Sequence, residues 1–401
     1  MITKCVSDHL QRNQPVSAYS VLLYGENLVA LADVAIIGGG ISGAAAGLGL
    51  VEEGAGKVLI FDEQLPSQRL SRGNFGLTWF MCKGANNPVY AKWCRMATRQ
   101  WPEFAHRLEK ETGYNLELEW TGGAIQAFGD EQYQSYAQSI ETLKKVCAEE
   151  DLDYPVRMLS REEFADMVPD IKVGNDVTGV MYTADQGHIN PLKLLAAVRC
   201  AYQQKGGLYY GAHNVAEIVP EEGGAITVKT NKGSYSCGKV VIAAGHGSQR
   251  LLTPLRQKLH IYPQRGQLMV SERYKRVLKI PVLCTRQTPD GTFIIGFSTE
   301  DFAHDCRVTL SGMKNLASNA IRLFPILAKL NWVRSWGAIR VMTPDGAPIY
   351  SRLPEHSNIS MLALHSAVSL APLTTSTIAP WILGKSEASQ IAHFSNERFN
   401  V

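Results

Sequence analysis

The stretch DVAIIGGGISGAAAGLGL at residues 33–50 constrains the fold more than any other part of the chain. An apolar run ends in three consecutive glycines and continues into small residues typical of a closely packed helix. Gly38, Gly40 and Gly43 have the spacing that allows a tight turn, close approach of a pyrophosphate to the backbone, and close helix–strand packing. The stretch predicts the strand, turn and helix that open a dinucleotide-binding domain.

The residues after the turn support this interpretation. The first N–H groups of the helix have no partner within the helix, so they are available to bind phosphate. A second predicted strand, Lys57–Asp62, ends in a carboxylate nineteen residues after Gly43, where an adenosine ribose can donate hydrogen bonds. Both NAD and FAD satisfy this pattern.

Two later segments decide between the cofactors. A continuous NAD domain reaches its third strand within one more strand–helix unit. Here LSRGNFGLTW, residues 70–79, intervenes, and its glycines and Asn74 suit a loop pressed against a flat ring system. Near the C-terminus, LHSAVSLAPLTTSTIA predicts a strand end followed by a helix whose N-terminus can hold the electron-rich end of a reduced flavin.

The order of the predicted elements indicates that one domain closes from distant segments and that a second is inserted into it. We expect an N-terminal extension at residues 1–30. The FAD-binding domain is predicted from residues 31–85, 186–258 and 342–401, and a substrate-binding domain from residues 86–185 and 259–341. The hydrophobic patterns also predict helices over Pro88–Thr112 and Leu373–Leu383, a strand over Trp336–Val341, a capping box at Ser160 and Glu163, and a helix capped by Asn190.

Composition and charge argue against several classes of protein. The chain of 401 residues has a formal net charge of +3 and no basic block, which disfavours nucleic acid as a partner. Its eight cysteines include no C-x-x-C pair, so we expect no metal and no iron–sulfur cluster on this chain. Scattered cysteines favour a cytoplasmic setting, and no apolar stretch is long enough to span a membrane. Ala30-Leu31-Ala32 mimics a signal-peptidase site, but the polar residues before it favour an extra strand or arm.

Five motifs in order resemble one family. DVAIIGGGISG, VVIAAGHGS, RGQL, WGAIRVMTPDGAPIY and HSAVSLAPL cover nearly the whole chain from Asp33 onward. Together they resemble the D-amino-acid oxidase superfamily of FAD-dependent oxidoreductases, in its glycine oxidase and sarcosine oxidase branch. LSRGNFGLTW and TPDGTFIIGFSTED resemble more narrowly the flavoprotein subunits of opine oxidases, hydrogen cyanide synthase and D-hydroxyproline dehydrogenases. Those flavoproteins work beside small iron–sulfur and flavin subunits, which the resemblance implies as partners here.

The resemblance implies an α/β fold, α+β overall, with a Rossmann-like FAD-binding domain and an inserted substrate domain built on a mixed antiparallel sheet. It also implies a tightly bound FAD. The implied cofactor-binding residues are Gly38, Gly40, Ile41, Ser42 and Gly43 at the pyrophosphate, Asp62 and Glu63 at the ribose, Ser71, Arg72, Gly73, Asn74 and Gly76 along the flavin, Val215 over the adenine, Ala244 and Gly245 nearby, and Ser366, Ala367, Val368, Ser369 and Leu370 at the isoalloxazine. Ala367 stands where a glycine is common, and His246 stands where related chains often have alanine.

Arg340 occupies the position of the family's carboxylate-binding arginine, in WGAIRVMTPDG. A guanidinium is a rigid fork of donors that recognises a planar carboxylate with two hydrogen bonds. The alternative is an internal salt bridge from Arg340 to Asp345 or Glu300. Asp345 itself is interpreted as a turn or domain-tying residue rather than a base.

The resulting hypothesis is an FAD-dependent amino-acid or amine dehydrogenase or oxidase. The substrate is predicted to be an amino acid, a secondary amino acid or an opine, and the resemblance implies that its α-hydride passes to flavin N5 without a catalytic base. Two alternatives stay open at this point: dehydrogenation of a 2-hydroxy acid or polyol, and a flavin-bearing subunit whose active site has decayed.

Overall fold

The computed structural model describes residues 22–24, 27–63, 70–149, 151–301, 305–387 and 389–400, with side chains from residue 31 onward. The strands are β1 (Leu22–Tyr24), β2 (Asn27–Ile37), β3 (Val58–Asp62), β4 (Leu77–Thr78), β5 (Gly123–Phe128), β6 (Arg157–Ser160), β7 (Val177–Thr183), β8 (Gly187–His188), β9 (Leu208–Gly211), β10 (Val215–Pro220), β11 (Ile226–Thr230), β12 (Gly233–Ile242), β13 (Tyr262–Arg273), β14 (Thr285–Gln287), β15 (Thr292–Ile295), β16 (Trp332–Met342), β17 (Ile349–Arg352) and β18 (Ile359–Ala363).

The α-helices alternate with these strands in the N-terminal half and become shorter near the C-terminus. They are α1 (Ile41–Glu52), α2 (Pro88–Arg99), α3 (Trp101–Thr112), α4 (Asp130–Ala148), α5 (Arg161–Met167), α6 (Pro191–Gln204), α7 (Ser248–Leu252), α8 (Leu310–Leu323), α9 (Ala371–Leu373), α10 (Ala379–Leu383) and α11 (Ser389–Ala392). A π-helical turn, Thr374–Ile378, joins α9 to α10. None of the helices in these ranges is both long and apolar enough to cross a bilayer.

A nine-stranded sheet carries the glycine turn. Its centre is parallel: β2 lies between β12 and β3, β9 follows β3, and β18 pairs with the end of β12. Residues 34–37 and 58–62 are buried along their whole length, as expected for strands covered on both faces. Helix α1 follows β2 directly and packs against α6 and the π-helical turn. The glycine turn therefore lies at the carboxyl edge of the sheet, where open α/β sheets bind their ligands.

A second region is built from antiparallel pairs. β14, β15, β13 and β16 form one four-stranded sheet, and β5, β7 and β6 form a three-stranded sheet. An isolated parallel bridge between Ala124 and Val282 connects the two. The inner faces enclose an apolar cluster that includes Phe164, Phe293 and Phe324. This mixed, mainly antiparallel region and the parallel sheet together confirm the expected fold class.

Most predicted elements are present, with differences that have local causes. The helix predicted over Pro88–Thr112 is two helices, because the chain breaks at Gln100 and restarts with Pro102 in the first turn of α3. The capping box of Ser160 and Glu163 and the Asn190 cap are confirmed. Residues 1–21 and 25–26 of the predicted N-terminal extension lie outside the described residues. Its remainder contains β1 paired with the start of β2.

Candidate functional site

Two cavities adjoin each other at the carboxyl edge of the parallel sheet. We call the first the glycine-turn cavity. It runs from the turn at Gly38 past Ser71 and Val215 to Ala244 and Ala367. The second, the arginine cavity, has Arg340 in its wall and lies between β13, β16 and the loop at residues 70–84. Asn74, His365 and Val368 contribute to both walls, so the cavities share one boundary.

The glycine turn is shaped for close approach of a ligand. Gly38 has a φ of +105°, and a side chain there would collide with the backbone of Ala243. A side chain at Gly43 would collide with the carbonyl oxygen of Gly38, so helix and turn touch directly. The Ser71 hydroxyl accepts a hydrogen bond of 3.1 Å from the Ile41 N–H, which ties the 70–84 loop to the start of α1.

Asp62 contacts the backbone of the turn and does not line the cavity. Its Oδ2 accepts a hydrogen bond of 2.7 Å from the Gly39 N–H, and the side chain is 2% exposed. Arg199 donates to the Gly39 carbonyl oxygen and lies 3.8 Å from the same carboxylate. The neighbouring Glu63 lines the cavity instead. The structure thus gives Asp62 a contact with the turn, and a ribose contact stays a prediction.

Most of the predicted cofactor-binding residues meet at these two cavities. Those lining the glycine-turn cavity are Gly38, Gly40, Ile41, Ser42, Glu63, Ser71, Asn74, Val215, Ala244, Gly245, Ala367 and Val368. Gly73, Ser366 and Ser369 line the arginine cavity. Five of the predicted residues line neither cavity. Gly43 and Asp62 shape the turn, and Gly76, with a φ of +91°, packs on the backbone of Ile189. Arg72 is exposed, and Leu370 is buried.

The 70–84 loop is held between the sheet and the C-terminal segment. Ser369 Oγ accepts hydrogen bonds of 3.2 Å from the Trp79 N–H and 3.0 Å from Lys83 Nζ. It also donates to the Leu77 carbonyl oxygen at 3.2 Å. On the opposite side, Gly73 packs on the side chains of Trp336 and Ala338 in β16. The loop therefore forms the common wall of both cavities.

Arg340 lines the arginine cavity, and part of its guanidinium makes no hydrogen bond to the described residues. Its Nη1 donates to the carbonyl oxygens of Ser298 at 2.8 Å and Arg265 at 3.4 Å. Neither Nε nor Nη2 makes a hydrogen bond with any residue in the described ranges. Burial lowers the pKa of Arg340, while Glu300 raises it.

The internal salt bridges considered for Arg340 are made by other arginines. Asp345 pairs with Arg398 at 2.9 Å and accepts a hydrogen bond from the Ala347 N–H, which confirms its role in a turn. Glu300 pairs with Arg265 at 2.7 Å. Within the described ranges no carboxylate forms an ion pair with Arg340. The open donors of Arg340 are thus suited to an anion that enters the cavity.

The sequence analysis noted His246 but named none of His365, Lys83 and Gln267 as a site residue, although all four line these cavities. His365 lines both, and burial together with Lys83 and Arg340 lowers its pKa to about 3, so it is neutral near pH 7. His246 Nε2 lies 3.0 Å from the Arg340 carbonyl oxygen and lines the glycine-turn cavity. Lys83 and Gln267 line the arginine cavity. The signal for His365 was its position directly before the predicted flavin segment, but isolated histidines are common structural residues.

Comparison with known proteins agrees with this geometry. Residues 33–381 match the family described as FAD dependent oxidoreductase. The chain belongs to this family. It is 33% identical over 371 residues to an opine oxidase subunit of Agrobacterium tumefaciens (strain Ach5), covering 92% of this chain and 98% of that protein.

Glycine oxidases are also similar to this FAD-dependent oxidoreductase. The glycine oxidase of Geobacillus kaustophilus (strain HTA426) is 27% identical over 377 residues, covering 91% of this chain and 97% of that protein. The crystal structure of glycine oxidase from Geobacillus kaustophilus superposes with a TM-score of 0.84 at 26% identity, covering 92% of this chain and 99% of that chain. The expected family, enzyme class and cofactor are confirmed.

The residues present fit FAD on their own geometry. The bare turn at Gly38 and the open N-terminus of α1 suit a pyrophosphate, because backbone N–H groups and the helix dipole both favour negative charge there. The cavity then passes Val215 and Ala244 to the common wall with the arginine cavity. A dinucleotide held along this path would supply a hydride acceptor near the wall that the glycine-turn cavity shares with the arginine cavity.

Proposed function

We propose that this chain removes a hydride from the carbon next to the nitrogen of an amino acid, secondary amino acid or opine. The observation that carries the proposal is Arg340, an arginine with open donors in a cavity that shares a wall with the FAD cavity. A substrate carboxylate on Nε and Nη2 would be held by two parallel hydrogen bonds. The similarity to an opine oxidase and to glycine oxidase supports amines as substrates.

The chain contributes position and electrostatics to this reaction. Bound FAD supplies the acceptor of the hydride, and the protein holds the substrate carbon next to it. Trp79, Leu268 and Phe297 form apolar parts of the arginine cavity and limit water around the reacting carbon. We assign no base, because a neutral amine can lose hydride without one. His365 is a poor candidate, because burial, Lys83 and Arg340 all lower its pKa and so disfavour its accepting a proton.

The experiment is anaerobic mixing of the purified holoprotein with a panel of amines and 2-hydroxy acids while the visible flavin absorption is followed. Bleaching by glycine, N-methylglycine, proline or an opine, and not by the matched hydroxy acids, supports the proposal. Bleaching by hydroxy acids alone would move the function to 2-hydroxy-acid dehydrogenation. A yellow protein that no substrate bleaches would indicate a flavin-bearing subunit without activity.

We also propose that the chain works as the catalytic subunit of a multi-subunit dehydrogenase. Its opine oxidase relative is named as one subunit of that enzyme, which supports this assembly, and the sequence resemblance implies small iron–sulfur or flavin subunits as partners. The electrons would then leave through a partner rather than to oxygen. We expect slow peroxide formation by the isolated chain and co-purification of a small subunit from the native source. Rapid peroxide formation by the isolated chain would contradict the proposal.

A further inference from the structure

Phe297 is a large apolar residue that lines the arginine cavity and is nevertheless open to solvent. It is 57% exposed, whereas Trp79 and Leu268, which line the same cavity, are buried. A ligand that covers an exposed ring removes apolar surface from water, which favours binding. Single exposed apolar residues are common on proteins, so the exposure of Phe297 needs a second observation to carry an inference.

The backbone of Phe297 supplies that observation. Its φ of +72° lies in the left-handed region, which a bulky residue rarely adopts and which glycine adopts without strain. Both neighbours hold it there: the Gly296 N–H donates to the Cys284 carbonyl oxygen at 3.0 Å, and Ser298 Oγ accepts a hydrogen bond of 2.7 Å from the Gln267 N–H. Backbone strain of this kind is concentrated at sites that bind ligands. The chain therefore carries an aromatic ring at a position whose backbone favours glycine.

The same segment also holds Arg340. The carbonyl oxygen of Ser298, the residue after Phe297, accepts a hydrogen bond of 2.8 Å from Arg340 Nη1. Phe297 is thus the direct chain neighbour of the residue that orients the guanidinium, and Phe297 and Arg340 line one cavity. A ligand whose carboxylate is bound to Arg340 has the aromatic residue close to the rest of its structure.

The remaining lining of the cavity favours an apolar group over a charged one. Its described lining includes no aspartate or glutamate, so a cationic group on a ligand would find no carboxylate there and would meet Lys83 and Arg340 instead. Apolar side chains that line the cavity besides Phe297 are those of Trp79, Met81, Ile125, Leu268 and Leu283. The cavity thus combines an anchor for one carboxylate with a surface for hydrocarbon.

We propose that Phe297 determines specificity at the arginine cavity by covering an apolar side chain of a ligand whose carboxylate is bound to Arg340. The inference rests on the proposed function, since that ligand is the amino acid that loses hydride. It assigns to the substrate an apolar side chain, in preference to a hydrogen atom or to a side chain that ends in a cation.

The test first measures binding with carboxylates that have no amine next to the carboxylate carbon. Dissociation constants of acetate, propanoate, butanoate and pentanoate for the holoprotein are measured by calorimetry. Full burial of one methylene strengthens binding about fourfold, so pentanoate, with three more methylenes, should bind at least about tenfold more tightly than acetate. 4-Aminobutanoate, which replaces the terminal methyl of pentanoate by an ammonium, should bind more weakly than pentanoate.

Variants of Phe297 then assign this preference to its side chain. Phe297→Ala should reduce the difference between pentanoate and acetate to less than about threefold without weakening acetate, because the ring that covers the chain is gone. Phe297→Leu keeps an apolar side chain and should keep most of the difference. Leu310→Ala, at a position that is 90% exposed and does not line the cavity, is the matched control and should behave as the parent. Equal binding of all four carboxylates by the parent, or an undiminished difference in Phe297→Ala, would overturn the inference.

A glycine variant separates specificity from a structural role. Phe297→Gly suits the φ of +72° and should therefore keep or raise the thermal midpoint while it loses the preference for pentanoate. A lower midpoint together with weaker binding of acetate would show that Phe297 supports the shape of the cavity, and would contradict the inference.

Amino acids of the same lengths distinguish this inference from the proposed function. Glycine and both enantiomers of 2-aminopentanoate are tested for anaerobic flavin bleaching. A preference for pentanoate with no bleaching by any amine supports the role of Phe297 and contradicts the proposed function. Bleaching by glycine and 2-aminopentanoate at equal half-saturating concentrations supports the proposed function and contradicts the inference.

Discussion

At the scale of single residues, the account depends on Arg340, whose charge is paired with no carboxylate in the part of the chain that the structure describes. A buried charge is costly unless it is paired, and among the described residues Arg340 has hydrogen-bond partners for Nη1 alone, the carbonyl oxygens of Ser298 and Arg265. Glu300 and Asp345, the two acids considered as its partners, are paired with Arg265 and Arg398 instead. An arginine in this state is ready to bind an anion.

Arg340→Lys should weaken substrate binding while the fold is kept. Lysine keeps the positive charge but cannot make the two parallel hydrogen bonds of a guanidinium. Because a charge-assisted hydrogen bond is worth about 1.5–3 kcal/mol, the substrate concentration at half-saturation should rise about tenfold to a hundredfold. Flavin content and the thermal midpoint should barely change. Arg334→Lys, an exposed position on the same strand, is the control. A lower midpoint with unchanged half-saturation would indicate a structural role for Arg340.

His365 should make stability depend on pH. Its pKa is about 3 in the folded protein against 6.5 ordinarily, so between these values the unfolded chain binds a proton that the folded chain does not. The free energy of unfolding therefore falls as the pH falls through this window, by about 1.4 kcal/mol for each pH unit. Above the ordinary pKa both states are neutral and the contribution vanishes.

The measurement compares thermal midpoints at about pH 7 and about pH 5. His365→Asn should lose less stability than the parent on acidification, whatever its midpoint near neutrality. His106→Asn, at an exposed position on α3, should follow the parent. If His365→Asn and the parent lose the same stability, His365 is not held neutral by its surroundings.

At the scale of elements, the strand–turn–helix unit predicted from the glycine spacing is present as β2, the turn and α1. The sequence was sufficient here because small residues at fixed offsets have few other uses. The sequence did not predict the hydrogen bond from the Gly39 N–H to Asp62 or the approach of Arg199 to the same carboxylate, because local spacing does not encode the direction of a short side chain. Lys83 was missed because its position in the wall depends on Ser369, far away in sequence.

Gly43→Ala should release the cofactor, because its new methyl group would collide with the Gly38 carbonyl oxygen and push α1 from the turn. Gly54→Ala is the matched control: it has open space around it, and its φ of +71° costs an alanine about 1–2 kcal/mol without touching the turn. The ratio of flavin to protein absorption after gel filtration should fall in Gly43→Ala alone. Equal ratios in both variants would contradict this role.

At the scale of the whole molecule, the sequence predicted the order of the segments better than their contacts. β2, β12 and β18 lie far apart in the chain but form the centre of one sheet, as the late return of apolar strands indicated. The adjacency of two cavities along one loop depends on long-range hydrogen bonds through Ser369 and on glycines pressed against β16. Those contacts follow from tertiary packing, which residue patterns do not specify.

FAD should be bound without a covalent link. Cys82 lines the arginine cavity and is an exposed residue, but the protein packed around its sulfur desolvates the thiolate and raises the pKa of the thiol to about 12, so the reactive thiolate is scarce near neutral pH. Acid precipitation should therefore release the yellow colour into the supernatant. A coloured pellet would contradict this prediction. If the pellet of Cys82→Ser were then colourless, Cys82 would be identified as the site of the covalent link.

The central claim is that this chain oxidises an amine at the wall shared by the two cavities. The most direct measurement is an anaerobic titration of the holoprotein with its best amine, with flavin absorption and 2-oxo acid followed in the same sample. The account predicts one molecule of 2-oxo acid, or of cyclic imine where the amine is proline, for each flavin bleached, with the half-saturating concentration raised in Arg340→Lys. Bleaching that yields neither product, or bleaching only by hydroxy acids, would contradict it.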